Sequence, residues 1–290
     1  MKKLLSGNEA LARGALEARI EIACGYPGTP SSEILENVSK YKEIYSEWSV
    51  NEKVAMDAAA GAAYSGRRAL VTTKQVGMNV MSDSLFYTAY TGAEAALVVV
   101  TADDPGLFSS QNEQDNRQYA RAAGLIMLEP ADSQQAYDFT GAAFAISEQF
   151  GQPVMLRMTT RVCHSKSIVV QNPLPQAPAA PDFKRDISSR VMIPAFARPA
   201  HRRLRDKLAR AATYAESCAQ TIVEPGSKAL GIITSGVSTA HVHEAAPEAS
   251  LFQLGFSYPL PIQAIRDFVA SVERCVVIEE GDPILFNELS

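Results

Sequence analysis

Four polar clusters carry the residues whose types and spacing could do chemistry, and each follows a short apolar run. The first is Gly25-Tyr26-Pro27-Gly28-Thr29-Pro30-Ser31-Ser32-Glu33. Gly28 permits a tight backbone turn, Thr29 suits a helix N-cap and Pro30 suits the first helical position. Free N–H groups at such a helix start make an anion or carboxylate site; without a ligand, the same residues make only a well-capped strand-to-helix turn. The second cluster is Glu47-Trp48-Ser49-Val50-Asn51-Glu52, which runs into Met56-Asp57-Ala58-Ala59-Ala60-Gly61. Glu52 falls in the first turn of the helix, where a carboxylate gains from the helix dipole. That makes it either a solvated, decorative acid or a partly buried one that hydrogen-bonds a heterocycle nitrogen. The small-residue helix behind it suits close packing at a subunit or domain interface.

The third cluster, Lys74-Gln75-Val76-Gly77-Met78-Asn79, and the fourth, Thr101-Ala102-Asp103-Asp104-Pro105-Gly106 with Ser109-Ser110-Gln111-Asn112-Glu113-Gln114-Asp115-Asn116-Arg117, are loops dense in donors and acceptors. An α/β sheet presents such loops at the carboxyl ends of its strands, where its ligands bind. Four of them converging on one edge argue for a site.

The elements that must position these loops are legible as alternating patterns. Strands are expected at Ile20–Cys24, Ile44–Trp48, Ala69–Thr72, Ala95–Ala102, Ile126–Leu128 and Pro153–Met158, with helices near 7–18, 31–39, 51–65, 76–89, 113–123 and 133–148. Unbroken apolar strands such as Ala95–Val100 belong to a parallel sheet covered on both faces, so the fold class is α/β. From Gln171 to Ala200 the prolines Pro173, Pro175, Pro178, Pro181, Pro194 and Pro199 predict an extended surface linker with no regular helix. A basic helix with Arg202, Arg203, Arg205, Lys207 and Arg210 follows, its charges read as a solvated or interface face. The βα pattern restarts near Lys228, with strands at Ala229–Thr234, Leu251–Leu254 and Cys275–Glu280 and helices near 237–245 and 261–270. That leaves a small second unit, short for a doubly wound domain, which is expected to be completed by another chain or to be a fragment.

Composition excludes several classes. The chain has 290 residues with 27 basic and 32 acidic side chains, a formal net charge of −5, which does not fit a general nucleic-acid binder. Its longest apolar run is far below the roughly 18 residues of a membrane span, and the MKKLLSGNEA start carries no apolar signal-peptide core, so a cytoplasmic location is expected. Cys24, Cys163, Cys218 and Cys275 are too scattered for a metal or iron–sulfur motif and read as buried thiols. His241 and His243 face different sides of a helix, and there is no HExxH or GxSxG motif. An enzyme of this composition would borrow its hard chemistry from a cofactor.

SGNEALARGALEA, GYPGTPSSEI, EWSVNEKVA, ALVTTKQVGMN, ADDPG with SSQNEQDNRQYA, and LRMTTRVCHS together resemble the alpha subunits of the indolepyruvate ferredoxin oxidoreductases. These are thiamine-diphosphate-dependent 2-oxoacid:ferredoxin oxidoreductases. The likeness runs from Met1 to about Val170 and continues less densely through GIITSGVSTAHV, LGFSYPLP and VVIEEGDP.

The resemblance implies a Rossmann-like thiamine-diphosphate-binding fold with three parts. Residues 1–170 would form a pyrimidine-binding domain, 171–225 the linker and basic helix, and 226–290 an incomplete transketolase C-terminal-like domain. Glu52 matches the glutamate that hydrogen-bonds N1′ of the aminopyrimidine, which favours the imino tautomer able to take the C2 proton. Gly28, Val76, Gly77 and Asn79 would join it around the cofactor. Thr29 matches a substrate-carboxylate threonine of the related pyruvate enzymes. Arg121 aligns with their substrate arginine, with Arg117 as the rival position, and Gln75 and Gln111 complete the substrate set. The family commonly carries histidines at the positions of Gln75 and Phe108, so the departure points to a different aryl or branched 2-oxo acid.

The implied reaction is oxidative decarboxylation of an aryl 2-oxo acid to its acyl-CoA, with coenzyme A as co-substrate and electrons passing to iron–sulfur centres. No GDG…N magnesium motif and no cysteine cluster occurs in this sequence. Mg²⁺, the cofactor diphosphate and the clusters are therefore expected on a partner chain with diphosphate-binding and ferredoxin-like domains, or on domains missing from a truncated piece. A gamma-type (beta) subunit and ferredoxin would complete a hetero-oligomer containing two copies, with no nucleic acid and no membrane involved. Two other readings are half of a non-oxidative thiamine enzyme, either a decarboxylase or transketolase-like, and a non-catalytic assembly module. The intact Glu52 and SSQNEQDNR loop speak against the second.

Overall fold

The chain opens with β1 (Lys2–Ser6) and α1 (Gly7–Glu17). A capping box starts α1: Ser6 Oγ accepts from the Glu9 N–H at 3.2 Å while the Ser6 N–H donates to the Glu9 carboxylate at 2.8 Å. The alternation then runs β2 (Ile22–Gly25), α2 (Ser32–Val38), β3 (Tyr45–Trp48), α3 (Glu52–Tyr64), β4 (Ala69–Lys74), α4 (Gly77–Thr91) and β5 (Leu97–Asp103). It continues through α5 (Arg117–Ala123), β6 (Ile126–Leu128), α6 (Ser133–Phe150), β7 (Val154–Thr159), α7 (Thr160–His164) and β8 (Lys166–Val170). This computed structural model describes residues 1–176, 183 and 185–290, so Pro178 and Pro181 of the expected linker lie outside the described residues.

The second half contains α8 (Ile187–Arg190), α9 (Pro194–Ala215), β9 (Thr221–Glu224), β10 (Ser227–Thr234), α10 (Ser238–Ala245), β11 (Ala249–Leu254), β12 (Phe256–Tyr258), α11 (Ile262–Ala270), β13 (Cys275–Ile278) and α12 (Ile284–Leu289). The strands form a seven-stranded sheet, β12-β6-β7-β5-β4-β2-β3, a four-stranded sheet, β13-β10-β11-β9, and the antiparallel pair β1-β8. In the large sheet every pairing is parallel except β12 with β6. Two apolar layers cover it. One contains Leu11, Ile34 and Phe144 from α1, α2 and α6; the other contains Met56, Met81 and Ala120 from α3, α4 and α5. Every residue of β5 is buried, as its unbroken apolar run requires. No helix among the described residues is long and apolar enough to cross a membrane.

Three expectations need correction. Pro194 and Pro199 do not exclude a helix, because both lie inside α9. Pro194 stands at the first helical position, where its missing N–H costs nothing. Pro199 forfeits one bond to the Ala195 carbonyl. Burial of Ala200, Leu204, Leu208, Ala211 and Ala215 along one stripe outweighs that loss. Second, α2 begins at Ser32, not at Pro30: the Gly28 carbonyl accepts the Ser31 and Ser32 N–H groups (2.8 and 3.1 Å), and the Thr29–Pro30 bond is cis. Third, α5 starts at Arg117 rather than near 113, because Gln114 and Asn116 donate their side-chain amides to the Gln75 carbonyl after β4 and the Asn116 N–H donates to Asp103 at the end of β5.

Two pairings join distant parts of the chain. β1 zips to β8 with Lys2 opposite Val170. β12, which comes from the second βα unit, adds to the edge of the large sheet and buries Phe256 in its core. All four cysteines are free thiols, three of them buried and Cys275 half-buried; burial, with the nearby Glu47 carboxylate, pushes Cys24 up to about 12.

Candidate cofactor and substrate site

The strand order reverses between β2 and β4, since the chain steps from β2 to β3 on one side and then to β4 on the other. A parallel sheet opens a crevice at the carboxyl ends of its strands at such a point. The polar clusters after β2, β3 and β4 all border this crevice. Asn51 caps α3, its Oδ1 accepting the Val54 N–H at 2.9 Å, which sets Glu52 as the first helical residue.

Glu52 is only 9% exposed, and among the described residues its carboxylate has no hydrogen-bond or ion-pair partner. The carboxylate lies over Gly77. A Cβ added at Gly77 would stand 2.5 Å from Glu52 Oε1 and would also strike the Thr73 hydroxyl, so only glycine fits. Thr72 Oγ1 and Ser49 Oγ, at neighbouring strand ends, are also buried without partners. Buried polar groups are normally paired, so an orphaned acid in a glycine-walled cradle is the mark of an absent ligand. A carboxylate that can only accept fits a protonated heterocycle nitrogen that donates.

The remaining expected residues fall into distinct places. Gly28 is half-buried under the Lys74 stem, where a Cβ would meet Lys74 Cδ at 2.6 Å, and the Thr29 side chain next to it is exposed. Val76 is half-buried at the start of α4. Asn79, one turn on, donates to Gln114 Oε1 at 2.9 Å and accepts from the Tyr119 hydroxyl at 2.6 Å. Gln75 is fully buried, its side chain turned into the loop after β5. Gln111 is exposed on that loop.

The two candidate arginines face elsewhere. Arg117 is 1% exposed and donates to Asp115, to Glu279 Oε2 at 2.6 Å and to the Asp282 carbonyl at 2.8 Å. Arg121 pairs with Glu288 of α12. Both tie α5 to the last residues of the chain.

Sequence reasoning missed a knot of charge beside the crevice. Arg157 of β7 donates to Asp103 Oδ2 at 2.7 Å and to Glu129 Oε1 at 2.6 Å, and stands 3.5 Å from Asp115 Oδ1. Burial would raise the Asp115 carboxyl, but Arg157 and Arg117 outweigh it and hold it below the ordinary carboxylate range. Asp103 moves up, because complete burial outweighs its contact with Arg157. The legible signal was an arginine inside Val154–Thr159, an otherwise apolar strand.

The doubly wound parallel sheet with polar loops at its switch point is the architecture of the thiamine-diphosphate-binding folds. The chain belongs to the pyruvate flavodoxin/ferredoxin oxidoreductase thiamine-diphosphate-binding family, whose pattern matches residues 13–220. It is 45% identical to indolepyruvate oxidoreductase subunit IorA of Methanothermobacter thermautotrophicus over 99% of this chain and 48% of that protein. The chain thus spans about half the length of the curated relatives it matches. Among solved structures it shares the fold of 2-oxoglutarate:ferredoxin oxidoreductase from Magnetococcus marinus, with TM-score 0.79 and 17% identity over 95% of this chain and 57% of that one. A split-gene transketolase, captured as an inactive beta4 tetramer, follows with TM-score 0.61 and 13% identity over 97% and 80% of the two chains.

Proposed function

We propose that this chain is the pyrimidine-binding part of a thiamine-diphosphate-dependent 2-oxoacid:ferredoxin oxidoreductase acting on an aryl, indolepyruvate-like 2-oxo acid. The observation that carries the reading is the orphaned Glu52 carboxylate over Gly77 at the switch point. When bound, the cofactor supplies the nucleophilic carbon and the electron sink for decarboxylation. Glu52 would hold the proton at N1′ of the aminopyrimidine. Gly77 lets the ring approach, with the Val76 and Asn79 positions flanking it. The Gly28 turn adjoins the cofactor, and the Thr29 hydroxyl receives the substrate carboxylate. Gln111 borders the mouth, and Gln75 acts from beneath through the loop it holds. Arg117 and Arg121 reach a carboxylate only by leaving Asp115, Glu279 and Glu288, so in this arrangement they position α5 against the C-terminal unit.

The remaining machinery lies outside the described residues, on a partner chain or on further domains: Mg²⁺ and the diphosphate site and the iron–sulfur clusters, with a gamma-type subunit, ferredoxin as acceptor and coenzyme A as co-substrate. The domain limits 1–170, 171–225 and 226–290 form part of the same proposal. The test is to purify the native complex, assay thiamine diphosphate, iron and sulfide in it, and follow coenzyme-A-dependent dye reduction by indolepyruvate. Cofactor with iron, plus turnover that vanishes in Glu52→Gln, is the expected result. Thiamine diphosphate without iron overturns it in favour of a non-oxidative thiamine enzyme.

A further inference from the structure

The loop between β5 and α5 is held far more firmly than its exposure requires. Gln75 Oε1 accepts the Asp104 N–H at 2.7 Å, Gln75 Nε2 donates to the Asn112 carbonyl at 2.5 Å, and the Gln75 carbonyl accepts from Gln114 Nε2 at 2.9 Å and Asn116 Nδ2 at 3.1 Å. One buried side chain thus pins both ends of the loop tip. Asp104 fastens the middle, accepting from the Ser109 N–H at 2.6 Å and the Thr160 hydroxyl at 2.7 Å. Lys74 Nζ donates to the Ser109 carbonyl at 3.0 Å.

This rigid frame holds an aromatic ring in the open. Phe108 is 68% exposed beside Leu107, which adopts φ +60°, a left-handed conformation that costs a branched side chain energy. Gly106 leaves the ring its space, because a Cβ there would lie 3.2 Å from it. The placement is also specific. The Lys74 stem covers Gly28 and its ammonium holds Ser109, so a single side chain ties the Gly28–Thr29 turn to the residue next to Phe108. A pinned loop that spends strain to expose an aromatic beside a binding turn is built for a ligand to cover it.

We propose that Phe108 is the specificity-determining wall of the site, packing against the side chain of an aryl 2-oxo acid, and that Gln75 is the positioning residue that holds it there. This inference rests on the function proposed above. The ring face of Phe108 offers an aromatic substrate an offset or edge contact that an alkyl chain cannot reproduce.

The experiment uses the purified native complex with wild-type, Phe108→Ala, Phe108→Tyr, Gln75→Met and Gln75→Glu chains. Indolepyruvate and phenylpyruvate are compared with 2-oxobutyrate, and the unreactive inhibitors 3-indolepropionate and butyrate report binding alone. Phe108→Ala is expected to raise KM for aryl substrates, and Ki for 3-indolepropionate, by about tenfold. Its kcat and the alkyl values stay within about twofold, and Phe108→Tyr restores the aryl preference. Gln75→Met should shift the aryl-to-alkyl ratio the same way and speed amide exchange over residues 105–112. Gln75→Glu, which keeps the acceptor for Asp104, falls between. An unchanged ratio in Phe108→Ala, with the wild type active, overturns the inference and leaves the function standing. Weakened assembly at an unchanged ratio overturns it by making Phe108 a partner contact. A wild-type complex that turns over no 2-oxo acid defeats the functional reading itself, and the inference falls with it.

Discussion

The carboxyl edge of the large sheet carries two acidic centres of opposite character. At the β2/β4 switch point Glu52 is buried with no partner, over a glycine. A few strands away Asp103, Asp115, Glu129 and Glu279 are buried around Arg117 and Arg157, each carboxylate bonded to a guanidinium. An unpaired buried acid costs stability, and a protein keeps it only where a ligand will pair it. A network in which every carboxylate meets a guanidinium orients what it ties together, here β5, β6, β7, the start of α5 and the segment after β13. Pairing, rather than burial or charge, separates the proposed cofactor cradle from the structural network.

The largest test of that contrast is Glu52→Ala. Turnover of the assembled complex should fall by roughly 10²–10⁴-fold while the chemical-denaturation midpoint stays unchanged or rises. A clear loss of stability would move Glu52 into the structural class. Arg157→Ala should do the reverse, unfolding the chain more easily by about 3–5 kcal/mol because Asp103 and Glu129 lose their only guanidinium, as urea titration would read. Gly77→Ala sharpens the cradle: the new methyl must displace Thr73 or Glu52 for about 1–3 kcal/mol, and cofactor retention by the complex should drop.

The smallest effect is a pH dependence. Asp115 has a folded pKa below its unfolded one, so its contribution is fully present above the unfolded value near about 4 and is lost as pH falls through the lower folded value. Asp103, shifted upward, contributes in the opposite sense: its contribution is present at acid pH and lost as pH rises through its raised value. Thermal melts from pH 5 to pH 3 should therefore lose less stability in Asp115→Asn than in the wild type. Equal slopes would remove Asp115 from the network that matters.

The alternating strands, the burial of β5 and the polar loops at the strand ends follow from local rules. Apolar period, β-branching, glycine turns and caps all act over a few residues, and Ala95–Val100 or Asn51–Glu52 read correctly for that reason. The basic body of α9 was legible but its first turns were not, because two prolines signal a break locally while a buried stripe of Ala200, Leu204, Leu208, Ala211 and Ala215 decides the outcome across the domain. The same limit hid β12, a three-residue strand that exists only because the edge of β6 is there to receive it.

The site divides along the same line. Residue type placed Glu52, Gly77 and the Gly28 turn in polar loops at strand ends, while the roles proposed for them came from the family resemblance. Whether Glu52 was solvated or sequestered was open until the tertiary structure laid it over Gly77. Arg117 and Arg121 read as carboxylate binders, yet folding brought Glu279 and Glu288 to them from more than half the chain away. The sequence by itself determined which groups could act and on which edge of the sheet they lie. Only the tertiary structure decided which are paired, because pairing depends on long-range neighbours that no local spacing encodes.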